Sequence, residues 1–307
     1  MDDDPPEETL ARFGVDPEEA TSESAAAQRE RSFNGLTAAE WTERSRSVWR
    51  GLSSARQEYH KEHGATFPEA LARRLVEIYS GEGDLVFDPF VGTGTTVIAA
   101  MKADRRGLGI ELVEEFAEIG REQLAQSSLS RFTDGEEYDQ RIVRDDCRNL
   151  DQYLDPESVQ ATVTSPPYAN LIHLAREDRD DRSYSIIDAE NNSTSSAYSD
   201  AENDLGNLEY DEYLDSVGEI MDEIYAATTP GGYNVWVVKD FRDVDGDRPY
   251  VPLHSDVAEA GQAAGFDYHD LVVWDQNQHR RLVLNGYPSV FYTNLNSSFI
   301  VVLRKPE

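Results

Sequence analysis

The sequence predicts a doubly wound α/β domain: a mostly parallel, seven-stranded sheet with helices on both faces. Three observations carry that expectation. Short apolar runs alternate with amphipathic helical stretches through most of the chain. Those runs end repeatedly in a polar side chain, at Asp88, Glu111, Asp145 and Ser165. A glycine-rich turn, Asp88–Thr96, joins the first such run to a helix.

Taken in order, residues 1–31 are rich in Asp, Glu, Ala and Ser without sustained periodicity and are expected to be a mostly disordered acidic tail. Residues 32–62 form a helical N-terminal segment. Its capping box, Thr37-Ala-Ala-Glu40, opens a helix through Trp41, Val48 and Trp49. Residues 63–307 form the main domain. A second box, Thr66-Phe-Pro-Glu69, opens a helix with Leu71, Leu75 and Ile78 on one face. Strands then end near Asp88, Glu111, Asp145 and Ser165, with helices over Thr95–Ala103 and Val113–Gln126 after the first two. A helix over Tyr210–Ala227, a strand over Tyr233–Lys239, a helix over Leu253–Ala264 and strands at Leu271–Trp274 and Phe299–Leu303 complete the pattern. An insertion at residues 176–209, dense in Asp, Glu, Asn and Ser, interrupts it; a stretch of this length inside a compact domain is functional or disordered. Trp41, Trp49 and Trp236 read as core.

Composition sets limits. The chain has 307 residues, 28 basic against 60 acidic, for a net charge of −32, and its lysines are only Lys61, Lys102, Lys239 and Lys305. That sign is wrong for binding nucleic acid through phosphate neutralisation. Acidic residues spread along the whole chain point instead to a salt-loving host, where the Debye length falls to about 3 Å at 1 M and distant repulsion is screened. No apolar run approaches the roughly 18 residues that span a bilayer, and the start MDDDPPEE is the opposite of a signal peptide. A soluble cytoplasmic protein is expected. The single cysteine, Cys147, excludes an internal disulfide and a cysteine-cluster metal site, and the six histidines show no metal-ligand spacing.

Asp88-Pro-Phe-Val-Gly-Thr-Gly-Thr-Thr96 sits between an apolar strand and a helix. Gly92 and Gly94 allow a tight turn and close approach of backbone N–H groups to a ligand; Phe90 and Thr95 belong to the same loop. The helix N-terminus behind it favours a negative group such as a carboxylate. Glu111, ending the next strand, can accept hydrogen bonds from both ribose hydroxyls, and Asp146 can accept from an adenine amino group. No Gly-Lys-Ser/Thr follows, which excludes a Walker loop, and Val97 stands where a nicotinamide site wants a third glycine. A smaller, carboxylate-bearing nucleoside remains, and S-adenosyl-L-methionine fits.

Ser165-Pro166-Pro167-Tyr168 follows an apolar strand and therefore lies at the same carboxyl edge. Two prolines fix the backbone and remove two donors, so the segment offers carbonyls and the Ser165 hydroxyl as acceptors, with an aromatic ring beside them. An exocyclic amino group needs such acceptors, and a planar base needs a face to stack on.

These residues resemble the amino-methyltransferase family of DNA methyltransferases, whose cofactor loop reads Asp-Pro-Phe-x-Gly-x-Gly-Thr and whose catalytic tetrad is Ser/Asp/Asn-Pro-Pro-Tyr. The similarity runs over about Thr37–Pro306 and includes His63-Gly-Ala-Thr-Phe-Pro68, like the family segment that packs over the methionine part of the cofactor, so that Thr66 and Phe67 are implied cofactor contacts. It also includes Gly231-Gly-Tyr and the closing strand Ser298–Pro306. The resemblance implies a Rossmann-like methyltransferase sheet, double-stranded DNA as partner, a target base flipped into the pocket, direct transfer to its amino nitrogen, and a place in restriction-modification that admits a cognate endonuclease. Ser165 in first position resembles the cytosine-N4 members, whereas adenine-N6 members usually carry Asp there. Cys147 does not follow a proline, against the covalent carbon-5 route. Adenine-N6 methylation, methylation of an RNA base, and a catalytically idle cofactor-binding subunit are the competing readings. Arg176, Arg179 and Arg182 could meet phosphates, Lys239-Asp240 could line the base pocket or form an ion pair, and Trp274–Arg281 could hold the base or its backbone.

Overall fold

A computed structural model describes residues 25–52, 67–129, 138–169, 203–242, 249–278, 282 and 288–307. The tail before residue 25, the segment His63–Thr66, the insertion with Arg176, Arg179 and Arg182, and His279–Arg281 lie outside the described residues.

Helices α1 (Ala25–Arg31) and α2 (Ala38–Arg44) come first. Residues 25–31 are thus helical where the sequence suggests a disordered tail. Three consecutive alanines favour that state, and Arg29 reaches the Gly35 carbonyl at 2.9 Å and the Glu40 carboxylate at 2.8 Å. The capping box at α2 forms as expected: the Thr37 hydroxyl accepts from the Glu40 N–H, and the Glu40 carboxylate accepts from the Thr37 N–H at 2.8 Å.

The helix does not continue to Trp49. It ends at Arg44, and Val48–Trp49 forms a two-residue strand, β1, on the edge of the sheet. The indole explains the change. Trp49 is buried, donates Nε1–H to the Arg44 carbonyl at 3.2 Å, and lies under the Arg74 guanidinium. Trp41, by contrast, is 45% exposed, not core, and meets Phe33 edge to face. Helix α3 (Glu69–Tyr79) is capped by Pro68 without a side-chain hydrogen bond. Glu69 is its first residue rather than its third, so the second capping box does not form, and its carboxylate pairs with Lys102 instead.

Beyond α3 come β2 (Leu85–Asp88), α4 (Thr95–Lys102), β3 (Arg106–Glu111), α5 (Glu114–Leu129), β4 (Gln140–Arg144), β5 (Val159–Thr164), α6 (Tyr210–Ala227), β6 (Thr228–Val238), α7 (Leu253–Ala263), β7 (Asp267–Asp275) and β8 (Ser297–Arg304). The eight strands lie in the order β1-β7-β8-β6-β5-β2-β3-β4, parallel except where β8 runs antiparallel to β6 and β7. The seven expected strands are all present; the eighth is the short edge strand β1.

Alternation along the strands sorts side chains onto two covered faces. Trp236 and Val238 of β6 pack with Tyr213, Val217, Ile220 and Ile224 of α6 and Leu253 and Val257 of α7. Val235 and Val237 pack on the other face with Leu71, Leu75 and Val76 of α3. Strand order reverses beside β2: the chain moves outward through β3 and β4, then returns to place β5 on the other flank. The crevice at the carboxyl ends of β2 and β5 is therefore the switch point, where such sheets bind ligands.

Candidate active site

The glycine loop leaves β2 at Asp88. This carboxylate is 2% exposed and fully engaged: Oδ2 accepts from the Thr96 hydroxyl at 2.6 Å, and Oδ1 from the Thr164 hydroxyl at 2.6 Å and the Phe90 N–H at 3.0 Å. It ties the loop, the first turn of α4 and the end of β5 together. Burial pushes its pKa up to about 6 despite those three donors. Gly94, at φ 91, caps α4, and a Cβ there would meet Ile142 Cδ1 at 2.9 Å and the Gly120 Cα at 3.3 Å, so the loop is pressed against α5.

Gly92, at φ 53, turns its N–H onto Glu111 Oε2 at 2.9 Å, while Oε1 accepts from the Val113 N–H at 2.9 Å. Two backbone donors thus fix the carboxylate at the end of β3. Burial pushes Glu111 up to about 7, against those hydrogen bonds. Asp146 opens a short 3₁₀ turn (Cys147–Gln152); Oδ1 accepts from the Arg148 N–H at 3.0 Å and Oδ2 from the Asn203 amide at 2.6 Å.

The tetrad follows β5. Ser165 Oγ and the Tyr168 hydroxyl lie 3.5 Å apart, and the Tyr168 ring meets Phe241 edge to face with centroids 5.1 Å apart. Ala169 then turns the chain at φ 50, a left-handed conformation that L side chains rarely adopt and that strained backbone at ligand sites often shows.

These parts surround one cavity. It is lined by Pro89, Phe90 and Gly92 of the loop, by Glu111, Leu112, Val113 and Phe116, by Asp146 and Cys147, by the whole tetrad, and by Asn203, Asp204 and Leu205. Eight of the residues singled out in the sequence meet there: Phe90, Gly92, Glu111, Asp146, Ser165, Pro166, Pro167 and Tyr168. Asp88, Gly94 and Thr95 do not line it; they shape it from behind. Phe67 packs instead against the apolar cluster that holds Leu71 and Leu75.

Leu112, Val113 and Phe116 are additions that no motif in the sequence marks. They follow Glu111 directly and supply the apolar walls beside its carboxylate. Asn203–Leu205 carry no local signal either, since only long-range folding brings them to Asp146. Lys239 and Asp240 do not line the cavity; Asp240 is buried and lies 2.8 Å from His254 Nδ1. Cys147 is a buried free thiol whose pKa burial raises strongly, so it is held protonated and unsuited to nucleophilic attack.

The donor set suits a nucleoside. A buried carboxylate with both oxygens already fixed by N–H groups still has lone pairs for two ribose hydroxyls, and apolar walls flank it. In the same cavity, proline carbonyls and the Ser165 hydroxyl offer acceptors for an amino group.

Comparison with known proteins adds three findings. The family described as DNA methylase matches residues 12–122. The chain is 38% identical over 99 residues to the Type II methyltransferase M.MthZI of Methanothermobacter thermautotrophicus, covering 30% of this chain and 28% of that protein. It is also 38% identical over 84 residues to the Type II methyltransferase M.HpaI of Haemophilus parainfluenzae, covering 27% and 26%. The matches thus span little more than a quarter of these relatives' lengths. Among solved structures, an S-adenosylmethionine-dependent methyltransferase from Methanosarcina mazei aligns with TM-score 0.43 at 10% identity, over 75% of this chain and 96% of that one.

Proposed function

We propose that the chain, whose residues 12–122 match the DNA methylase family, methylates the exocyclic amino group of a base in DNA, cytosine N4, with S-adenosyl-L-methionine as donor. The observation that carries the reading is the shared cavity. One set of residues suited to a nucleoside and one set suited to an amino group line the same space.

Glu111 would hold the ribose hydroxyls, Asp146 the adenine edge, and Phe90 and Phe116 the flanking apolar surface. When bound, S-adenosyl-L-methionine supplies an activated methyl group on a sulfonium. The chain's own contribution is positioning and charge. The Ser165 hydroxyl and the proline carbonyls accept the amino hydrogens, which turns the nitrogen lone pair away from them and stabilises positive charge as it develops there. Tyr168, backed by Phe241, supplies a face for the base. No covalent step on the protein is needed, in keeping with the protonated thiol of Cys147. Serine at position 165 supports cytosine N4 over adenine N6 through the family resemblance alone, since adenine-N6 members usually carry Asp in that place.

The test is transfer of labelled methyl from S-adenosyl-L-methionine to duplex DNA, with RNA of the same sequence in parallel. Label on DNA, lost in Tyr168→Ala, supports the reading. Label on RNA alone, or none while the cofactor still binds, overturns it.

A further inference from the structure

Beside the tetrad, at the same edge of the sheet, lies an arginine to which the proposed reaction gives no task. Arg242 follows Phe241, the residue whose ring backs Tyr168. Its guanidinium carbon stands 4.6 Å from the centre of the Tyr292 ring and 5.6 Å from that of Tyr250, and one N–H reaches the Thr293 carbonyl at 3.4 Å. Among the described residues no carboxylate pairs with it, although the chain carries 60 of them.

The support beneath it is rigid. Tyr250 donates its hydroxyl to Asp240 Oδ2 at 2.8 Å. Asp240 is 2% exposed and is itself held by His254 through the ring Nδ1 at 2.8 Å and the backbone N–H at 3.2 Å. Burial and this hydrogen bond push the Tyr250 hydroxyl up to about 12, so it remains a donor. Phe241 and Val251 exchange backbone hydrogen bonds at 3.1 and 2.9 Å, which locks the residue before Arg242 to the one after Tyr250. A cation stacked on aromatic rings keeps its charge and most of its N–H fork for an outside acceptor.

We infer that Arg242, held by Tyr250 and Tyr292, binds a backbone phosphate of the DNA strand that carries the target base. This rests on the function proposed above. The chemistry follows from charge. A molecule with net charge −32 has no general attraction for a polyanion, so its phosphate contacts must be local cations placed where the strand runs. Arg242 stands one residue from the ring that backs the tetrad.

The experiment measures binding of a short mixed-sequence duplex across a KCl series for wild type, Arg242→Gln and Arg242→Lys, each with S-adenosyl-L-methionine affinity and melting temperature as controls. Loss of one phosphate contact should weaken duplex binding about tenfold in Arg242→Gln at the lowest salt and flatten the slope of log affinity against log salt by about 1. Arg242→Lys should keep the slope, because it keeps the charge. Cofactor affinity should not change in either variant. Wild-type slope and affinity in Arg242→Gln would overturn the inference while leaving the proposed function intact. A wild-type protein that binds cofactor but no duplex would overturn both.

Discussion

Glu111 and Asp88 end neighbouring strands with the same chemical group, yet the structure gives them different work. Glu111 lines the cavity and Asp88 does not. The sign of the Glu111 shift yields a prediction. With its pKa raised from 4.5 to about 7, the side chain is mostly protonated at pH 6 and mostly ionised at pH 8. Ribose hydroxyls donate and prefer the ionised form, so S-adenosyl-L-methionine should bind about tenfold more tightly at pH 8 than at pH 6, read by calorimetry; a flat profile would contradict the assignment. The same shift makes the unliganded fold lose stability as pH rises from about 4.5 to 7, since the folded chain then holds the extra proton. Asp88→Ala should act through stability instead. It strands two hydroxyls and an amide, and should cost about 1–3 kcal/mol in chemical unfolding without ligand. Both carboxylates are legible as strand-end acids. The distinction between them is not, because it depends on Thr164, far along the chain and beside Asp88 only once β5 pairs with β2. The Asn203–Asp146 bond is hidden for the same reason.

At the scale of elements, the legible parts are those with a period. α6 occupies Tyr210–Ala227 as the sequence indicates, because Tyr213, Val217, Ile220 and Ile224 repeat at helical spacing. A two-residue strand has no period to read, which is why Val48–Trp49 reads as helix in the sequence; its place is set by pairing with Val273 and Trp274. The start of β6 at Thr228 is likewise obscured, since the glycines Gly231 and Gly232 mask the strand pattern and Thr228 is recruited by Val159 across the sheet. Two glycines test how elements are held. Gly218 lies inside α6, and a Cβ added there would have nothing within 4 Å, so Gly218→Ala should stabilise the protein by about 0.5–1 kcal/mol. Gly94→Ala adds a methyl at φ 91 against Ile142 and Gly120, and should destabilise it by more than about 1 kcal/mol while weakening cofactor binding. Urea midpoints of the two variants should therefore move in opposite directions.

The whole molecule combines a nucleotide-type sheet edge with a surface of unusual sign. At −32 the folded chain repels itself, and added salt screens that repulsion. Its melting temperature should therefore rise between 0.1 and 2 M KCl, followed by circular dichroism; a fall would show that its ion pairs outweigh the net charge. Fold class is legible at this scale because alternating strands and helices admit few arrangements, and the glycine loop and tetrad both have to fall at carboxyl ends of strands. What sequence cannot place is the setting of Arg242, which depends on long-range neighbours such as Phe241 against Tyr168 and Tyr250 against Asp240. The central claim is that the shared cavity joins a methyl donor to a base amino group, and that Ser165 marks the base as cytosine. Nucleoside mass analysis of duplex DNA, after incubation with the protein and S-adenosyl-L-methionine, tests it most directly. The account predicts N4-methylcytosine, absent with Tyr168→Ala. N6-methyladenine in its place would contradict the choice of base, and no methylated nucleoside at all would contradict the account.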